Sequence, residues 1–138
     1  MRRLLLAVLL LPALLCLPGV SGAKQEYLYQ RDVTVPAYQT LREFFDMPNR
    51  PGRYEVSMYS EAIGPLTFRV TRVRGEHERL IGSKRSYRVG AHDFQHSFEN
   101  RDGEDDLMVE ISNSNPATAA VVSVYVVELL DSFPPKGL

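Results

Sequence analysis

Strict alternation of apolar and polar residues is the feature that most constrains the fold of this chain. Within residues 52–60 the apolar Tyr54, Val56 and Met58 alternate with the polar Glu55 and Ser57, which is the period of a strand with one buried face. The same period recurs in residues 66–71 and 107–112. Residues 119–130 are apolar at both parities and rich in valine, which predicts a central strand covered on both faces.

Weaker strand patterns fill the remaining sequence at 27–35, 40–45, 84–89 and 94–99, although a short helix near residues 39–45 is an alternative. Gly, Pro, Asn and Asp residues separate these runs and predict turns. The predicted turns include residues 63–65, 74–75, 82, 90–93 and 102–103. About eight short strands with regular turns predict an all-β fold, a single antiparallel β-sandwich or jelly roll.

Residues 1–22 have the composition of a cleaved secretory signal peptide. Arg2 and Arg3 precede an apolar run at 4–17, and small residues follow as far as Ala23. The run is shorter than the about 20 apolar residues that cross a bilayer, so we expect a protein that does not span the membrane. We expect one β-sandwich domain over 23–131 and a loosely ordered tail over 132–138.

The only cysteine, Cys16, lies within the predicted signal peptide. The remaining domain therefore has no thiol for a disulfide, for catalysis or for a metal site, and the bacterial periplasm is a more natural place for it than an animal secretory pathway. Removing Arg2 and Arg3 leaves fourteen Lys and Arg against seventeen Asp and Glu, a formal charge of −3. This charge argues against nucleic acid as a partner.

Four segments in order resemble a known family. They are Val33-x-Val35-Pro36-Ala37, residues 51–56 (Pro-Gly-Arg-Tyr-Glu-Val), residues 66–70 (Leu-Thr-Phe-Arg-Val) and residues 111–114 (Ile-Ser-Asn-Ser) before the valine-rich run. Together they are similar to the GOLD-type β-sandwich of the p24 trafficking proteins and to bacterial pre-peptidase C-terminal domains. The cysteine pair, coiled coil and membrane span of p24 proteins have no counterpart here. The resemblance therefore implies the sandwich fold and not the trafficking function.

Two groups of residues are of a type that binds metals. His92 and His96 are four residues apart, a spacing that joins two imidazoles to one metal on a helix but separates them by about 13 Å on a strand. We expect a strand here, so a zinc site that also used His77 is the weaker interpretation. The acidic segment 100–106 offers oxygen ligands for calcium, and an ordinary solvated hairpin turn is the alternative. The candidate calcium ligands are Asp102, Glu104 and Asp106.

The segment 69–88 is strongly basic and carries the candidate binding residues. If the strands at 66–74 and 84–89 are neighbours, an outward Arg69 would join Lys84 or Arg88 in a cationic patch for phosphate or carboxylate groups. The alternative is that these charges only keep an outer sheet face soluble. The predicted ligand-binding residues are Arg69, Arg85 and Arg88, with the aromatic residues Tyr59 and Tyr87.

No serine stands in a nucleophile elbow or a Ser-x-x-Lys pair, so we predict no catalytic residue and no obligatory cofactor. The sequence predicts an exported, soluble, non-catalytic binding module. Its expected partner is an envelope or extracellular protein, with an anionic lipid or glycan as the alternative. A structural subunit of a larger envelope assembly is a second hypothesis, and a calcium- or metal-dependent enzyme is a distant third.

Overall fold

The computed structural model of this protein describes residues 25–87 and 91–130. The predicted signal peptide, the predicted tail and Arg88 lie outside the described residues. Within those residues the structure contains no helix that is long and apolar enough to cross a membrane. The strands are β1 (Gln25–Val35), β2 (Thr40–Phe45), β3 (Gly52–Ser60), β4 (Leu66–Arg74), β5 (His77–Ser86), β6 (His92–Asn100), β7 (Asp106–Asn113) and β8 (Ala120–Leu129).

The eight strands form two four-stranded antiparallel sheets. The first sheet has the order β1-β8-β3-β6 and the second has the order β2-β7-β4-β5. Only the β4–β5 connection joins neighbours within one sheet, because every other connection crosses between the sheets. The fold is therefore a jelly-roll-like β-sandwich, as predicted. We call the end with the β4–β5 and β6–β7 turns the hairpin end, and the other the far end.

The inward side chains of both sheets make one core. The alternation in β3, β4 and β7 assigns the buried residues correctly, since Val56, Phe68 and Val109 are fully buried. The predicted helix alternative near residues 39–45 is wrong, because these residues form β2. Residues of β2 alternate between exposed and half-buried positions up to the buried Phe45, and the strand pairs with β7.

The valine-rich strand β8 is central, between β1 and β3, but it is not covered on both faces. Its inward residues are buried, whereas Val121 on the outer face is 57% exposed. A two-layer sandwich leaves the outer face of each sheet open to water. Val121 at the outward parity therefore reflects strand preference more than burial, whereas Val127, also outward, is 5% exposed.

The strand predicted at 84–89 begins earlier than expected, because β5 runs through Gly82. Gly82 lies opposite Val70 beside an irregularity in the β4–β5 pairing. A side chain there would meet the ring of His96, since a Cβ would lie 3.0 Å from it. This glycine therefore makes room for a side chain of the facing sheet and does not form a turn.

The acidic segment after β6 is a connection between the two sheets and not the predicted hairpin, because β6 and β7 belong to different sheets. Gly103 does have the expected positive φ of 74°. A Cβ there would lie 2.8 Å from the backbone of Arg50, so a larger residue would also clash. The β6–β7 connection is thus packed tightly against the β2–β3 connection at the hairpin end.

Candidate functional site

The pairing of β4 with β5 separates Arg69 from Lys84, whereas the predicted alternative partner Arg88 lies outside the described residues. Arg69 lies on the outer face of the second sheet, with Nη1 4.0 Å from Glu110 Oε1. Lys84 faces the other way and donates to the carbonyl oxygen of Asp93 on β6 at 2.8 Å. The two strands are neighbours, as the prediction required, but Arg69 and Lys84 do not form one patch.

Arg85 and Tyr87 do lie together near the far end. The Arg85 guanidinium is 5.1 Å from the centroid of the Tyr87 ring, and its Nη1 donates to Thr67 Oγ1 at 3.0 Å. Tyr59 lies on the outer face of the first sheet, so the structure separates it from both. Its hydroxyl donates to Glu61 Oε2 at 2.9 Å, and this bond is the main cause of a raised Tyr59 pKa.

The three predicted calcium ligands have different partners. Both carboxylate oxygens of Asp102 accept from Arg74 Nη2, at 2.6 and 2.8 Å, and Glu104 lies 4.0 Å from the same guanidinium. Asp106 instead accepts from the backbone N–H of Met47 at 2.9 Å. Among residues 25–87 and 91–130, no three His, Cys, Asp or Glu side chains are grouped as metal ligands. The calcium site therefore stays a prediction without a grouped ligand set.

Many charged side chains gather where the edge strands β5 and β6 face each other, at the hairpin end. A cleft of about 580 Å³ opens there, and an adjoining hollow of about 270 Å³ extends it toward the start of β5. We call the two together the arginine cleft. Its lining comprises Arg72, Arg74, His77, Arg79, Ile81, His96, Phe98, Glu99, Arg101, Asp102 and Asp105.

Asp105 organises one wall of the arginine cleft. Its side chain is 4% exposed, and its Oδ1 accepts from Arg74 Nε at 2.9 Å. Asn100 fixes the same residue through its backbone, accepting from the Asp105 N–H and donating to the Asp105 carbonyl oxygen. This carboxylate is therefore held in place by two independent sets of contacts.

Arg74 joins Asp105 to Asp102 across the β6–β7 connection. The hydrogen bonds to Asp102 and then to Asp105 raise the pKa of Arg74 above its ordinary value. The same Arg74 contact is the main reason that the pKa of Asp102 is lowered. Both shifts favour the charged forms, so this arginine is neutralised by its own neighbours and has little capacity for an added anion.

Arg72 and Arg79, unlike Arg74, form no hydrogen bond to a carboxylate among the described residues. The buried Arg72 Nε lies 3.5 Å from Asp105 Oδ2, close enough for an ion pair, but it has no hydrogen-bond partner among the described residues. Arg72 Nη2 donates to the carbonyl oxygen of Glu99 at 3.0 Å, and the guanidinium lies 5.9 Å from the Phe98 ring centroid. The exposed Arg79 makes no ion pair or hydrogen bond through its side chain within residues 25–87 and 91–130. The cleft thus offers one accessible guanidinium, that of Arg79, which the described residues leave unpaired.

The three histidines have separate environments, as a strand predicts. His92 is fully buried between the Ser86 hydroxyl at 2.6 Å and the Ala62 carbonyl oxygen at 3.0 Å. His96 lines the arginine cleft and stacks beside Phe94 with ring centroids 6.5 Å apart. His77 lies at the start of β5 in the adjoining hollow. His92 therefore stabilises the far end, while the other two belong to the cleft.

The alternation of inward and outward residues along β4 contains a sequence signal for the cleft. The parity that places Leu66, Phe68 and Val70 in the core continues to Arg72 and Arg74, so both arginines face inward at the end of β4. The predicted patch used Arg69 instead, because it is a charged residue at an outward position of the same strand. An arginine at an inward parity is the signal that was missed, because such a residue must find a partner or line a cavity.

The chain belongs to the class of jelly-roll-like β-sandwich proteins by its fold. It matches no model of a known protein family, and no curated protein sequence matches it. The resemblance to GOLD-type and pre-peptidase C-terminal domains therefore extends to the β-sandwich, and no specific family is identified.

Solved structures share the fold at low sequence identity. The crystal structure of PirA is 18% identical, with a TM-score of 0.52, over 73% of this chain and 95% of that chain. A chain of the Cowpea Mosaic Virus empty virus-like particle is 10% identical, with a TM-score of 0.53, over 88% of this chain and 92% of that chain. The Yersinia pseudotuberculosis-derived mitogen is 13% identical, with a TM-score of 0.49, over 83% and 92% of the two chains.

Proposed function

We propose that this protein is an exported, soluble, non-catalytic binding module whose arginine cleft receives an anionic ligand. The observation that carries the proposal is the exposed Arg79 guanidinium, which has no side-chain partner among the described residues and lines the hollow that extends the cleft. Guanidinium groups bind phosphate, sulfate and carboxylate through paired N–H donors. A cleft of this size lies within the usual range of about 300 to 1,000 Å³ for small-ligand sites.

The acids in the cleft set its selectivity. Asp102 and Asp105 neutralise Arg74, so an anion would bind toward Arg79 and the adjoining hollow. Ile81 and Phe98 add an apolar wall. The ligand chemistry is therefore an anionic group attached to a less polar body, which both an anionic lipid headgroup and an acidic glycan supply.

Thermal unfolding with added ligand tests the proposal. The probes are pyrophosphate, a sulfated oligosaccharide, phosphatidylglycerol vesicles and a polyglutamate peptide, each at low ionic strength. A ligand of the native state raises the midpoint, by about 2.7 kcal/mol of added stability at a hundred times its Kd. We expect Arg79→Gln to weaken binding roughly tenfold or more, since a charge-assisted hydrogen bond contributes about 1.5–3 kcal/mol.

Arg69→Gln is the matched control, because it removes the same charge from the outer face of the second sheet. Equal loss of affinity in both variants would indicate a nonspecific charge effect. Loss in Arg69→Gln alone would place the site on the predicted outer patch and refute the cleft. A failure of every anionic probe to bind would also refute it.

A structural role in a larger assembly is the second candidate, and one row of side chains favours it. Phe44, Met108, Thr71 and Leu80 lie side by side across the outer face of the second sheet. Phe44 and Leu80 are exposed on its two edge strands. Met108 and Thr71 between them are buried, so the exposed apolar surface consists of Phe44 and Leu80 at the two edges, where another protein can make contact. Sedimentation velocity over a concentration series would support this role if the protein forms larger species that Leu80→Ser abolishes.

A further inference from the structure

We propose that a second site, for a neutral sugar, lies in a groove at the far end of the first sheet. The groove has a volume of about 410 Å³, and its lining includes Tyr59, Ser60, Glu61, Ala119, Val121 and Ser123. We call it the Tyr59 groove. It shares no lining residue with the arginine cleft, so it is independent of the function proposed for that cleft.

The groove has an aromatic wall beside an apolar surface. Tyr59 is 41% exposed, and Val121 on the neighbouring strand β8 is 57% exposed. The hydrogen bond from the Tyr59 hydroxyl to Glu61 restrains the orientation of the ring. Ser60 restrains the strand end, because its hydroxyl donates to the Val121 carbonyl oxygen at 2.8 Å and accepts from the Ala62 N–H. The ring and the valine are therefore held by a well-bonded strand end.

Hydrogen-bond acceptors surround this aromatic wall. The register of the first sheet places Asp32, Ser123, Tyr59 and Asp93 in one row across its four strands. The Ser123 hydroxyl donates to Asp32 Oδ1 at 2.8 Å, which leaves its own lone pairs available as acceptors. The Asp93 carboxylate is exposed and makes no hydrogen bond within the described residues. Glu61 and Ser123 are thus acceptors in the groove itself, and Asp32 and Asp93 are acceptors in the same row of the sheet beside it.

This combination selects a ligand that brings its own donors. No Lys or Arg is among the described residues that line the groove, and the Glu61 carboxylate in its lining would repel an anion. A sugar ring has an apolar face of C–H groups, which fits against Tyr59 and Val121, and hydroxyl donors at its rim for the carboxylates. A compact ammonium ion would satisfy the carboxylates but would leave the apolar surface without a partner.

Saturation-transfer NMR followed by calorimetric titration tests this site. The probes are maltotriose, cellotriose and chitotriose, with methylammonium as a cationic comparison. We expect at least one neutral sugar to bind, and Tyr59→Ala to weaken it about tenfold or more. Ser123→Ala keeps the ring and removes the hydroxyl that Asp32 orients, so we expect a smaller loss of about threefold to tenfold. If Tyr59→Ala fails to fold, Ser123→Ala and Tyr59→Phe retain the test.

Tyr27→Ala is the matched control, because Tyr27 is 65% exposed on the same sheet near the hairpin end. Binding that depends on Tyr59 and Ser123 but not on Tyr27 supports the proposal. Binding of methylammonium alone, equal losses in Tyr27→Ala and Tyr59→Ala, or no binding by any sugar would overturn it. None of these results depends on whether anions bind in the arginine cleft.

Discussion

Replacing Asp105 with asparagine should lower stability and raise the affinity of the arginine cleft for anions. The side chain keeps its size and one acceptor oxygen but loses the charge that faces Arg74 Nε at 2.9 Å and Arg72 Nε at 3.5 Å. Loss of one partner from a fully buried ion pair costs about 3–5 kcal/mol. The cost is smaller here, because the Arg74 side chain is 47% exposed and keeps Asp102.

A hydrogen bond to a charged group contributes about 1.5–3 kcal/mol, and the amide oxygen of asparagine retains part of it. We therefore expect a loss of about 2 kcal/mol. For a domain of about a hundred residues this corresponds to a fall in Tm of about 8 °C. Affinity for pyrophosphate should rise in the same variant, since one negative charge has left the cleft wall.

Urea unfolding followed by tyrosine fluorescence measures the stability, because the chain has seven tyrosines and no tryptophan. The midpoint should fall while the m-value stays unchanged. Glu104→Gln is the control, since this exposed carboxylate lies 4.0 Å from the same Arg74 and should leave the midpoint unaltered. A loss below about 0.5 kcal/mol for Asp105→Asn would refute the reasoning, because desolvation of the carboxylate would then cancel its contacts.

Three further predictions concern other parts of the structure. Tyr38 has a φ of +60° and is 76% exposed, so its backbone is in the left-handed region that strains a residue with a Cβ. Tyr38→Gly should therefore be more stable than Tyr38→Ala by about 1 kcal/mol in urea unfolding, and equal stability of the two variants would contradict this backbone strain. Glu128→Gln should cost roughly 1–3 kcal/mol by the same assay, because the buried carboxylate accepts from Arg50 Nη2 at 2.5 Å; a neutral result would show that the pair contributes nothing net. The contact with Arg74 lowers the pKa of Asp102, so its contribution to the free energy of unfolding is present above the ordinary pKa of 3.8 and is lost as the pH falls below that value. The free energy of unfolding, measured between about pH 5 and about pH 2, should therefore depend less on pH in Asp102→Asn than in the unmodified chain.

The sequence was sufficient for the fold class because each clear strand exposes one face. Alternation identified β3, β4 and β7 nearly to their ends, and the β2 boundaries agree at both ends. It could not show that Gly82 lies within a strand, since that depends on His96 from the facing sheet. It also could not show that the β6–β7 connection crosses between sheets, because alternation assigns faces and not neighbours.

The same limitation explains why the predicted binding residues lie on different sheets of the sandwich. Arg69, Arg85 and Tyr59 are all exposed or partly exposed, as a binding role requires, but the strand order places Tyr59 on a different sheet from the two arginines. Arg69 and Lys84 lie on neighbouring strands, but their side chains point to opposite faces of the second sheet. The separation of the two proposed sites follows from topology, which one sequence does not contain.

In this fold, a charged residue at an inward strand position indicates a functional site better than a charged residue at an outward position does. In β4 the inward positions change from Val70 to Arg72 and Arg74, and in β8 they change from Val126 to Glu128. A charge at an outward position needs no partner, whereas a charge at an inward position must be compensated within the sandwich. Glu128 receives that compensation from Arg50, and Asp105 supplies it in full only to Arg74. Arg79, opposite Arg72 in the β4–β5 register, has no such compensation among the described residues, and this is the physical basis for expecting an external anion at the hairpin end.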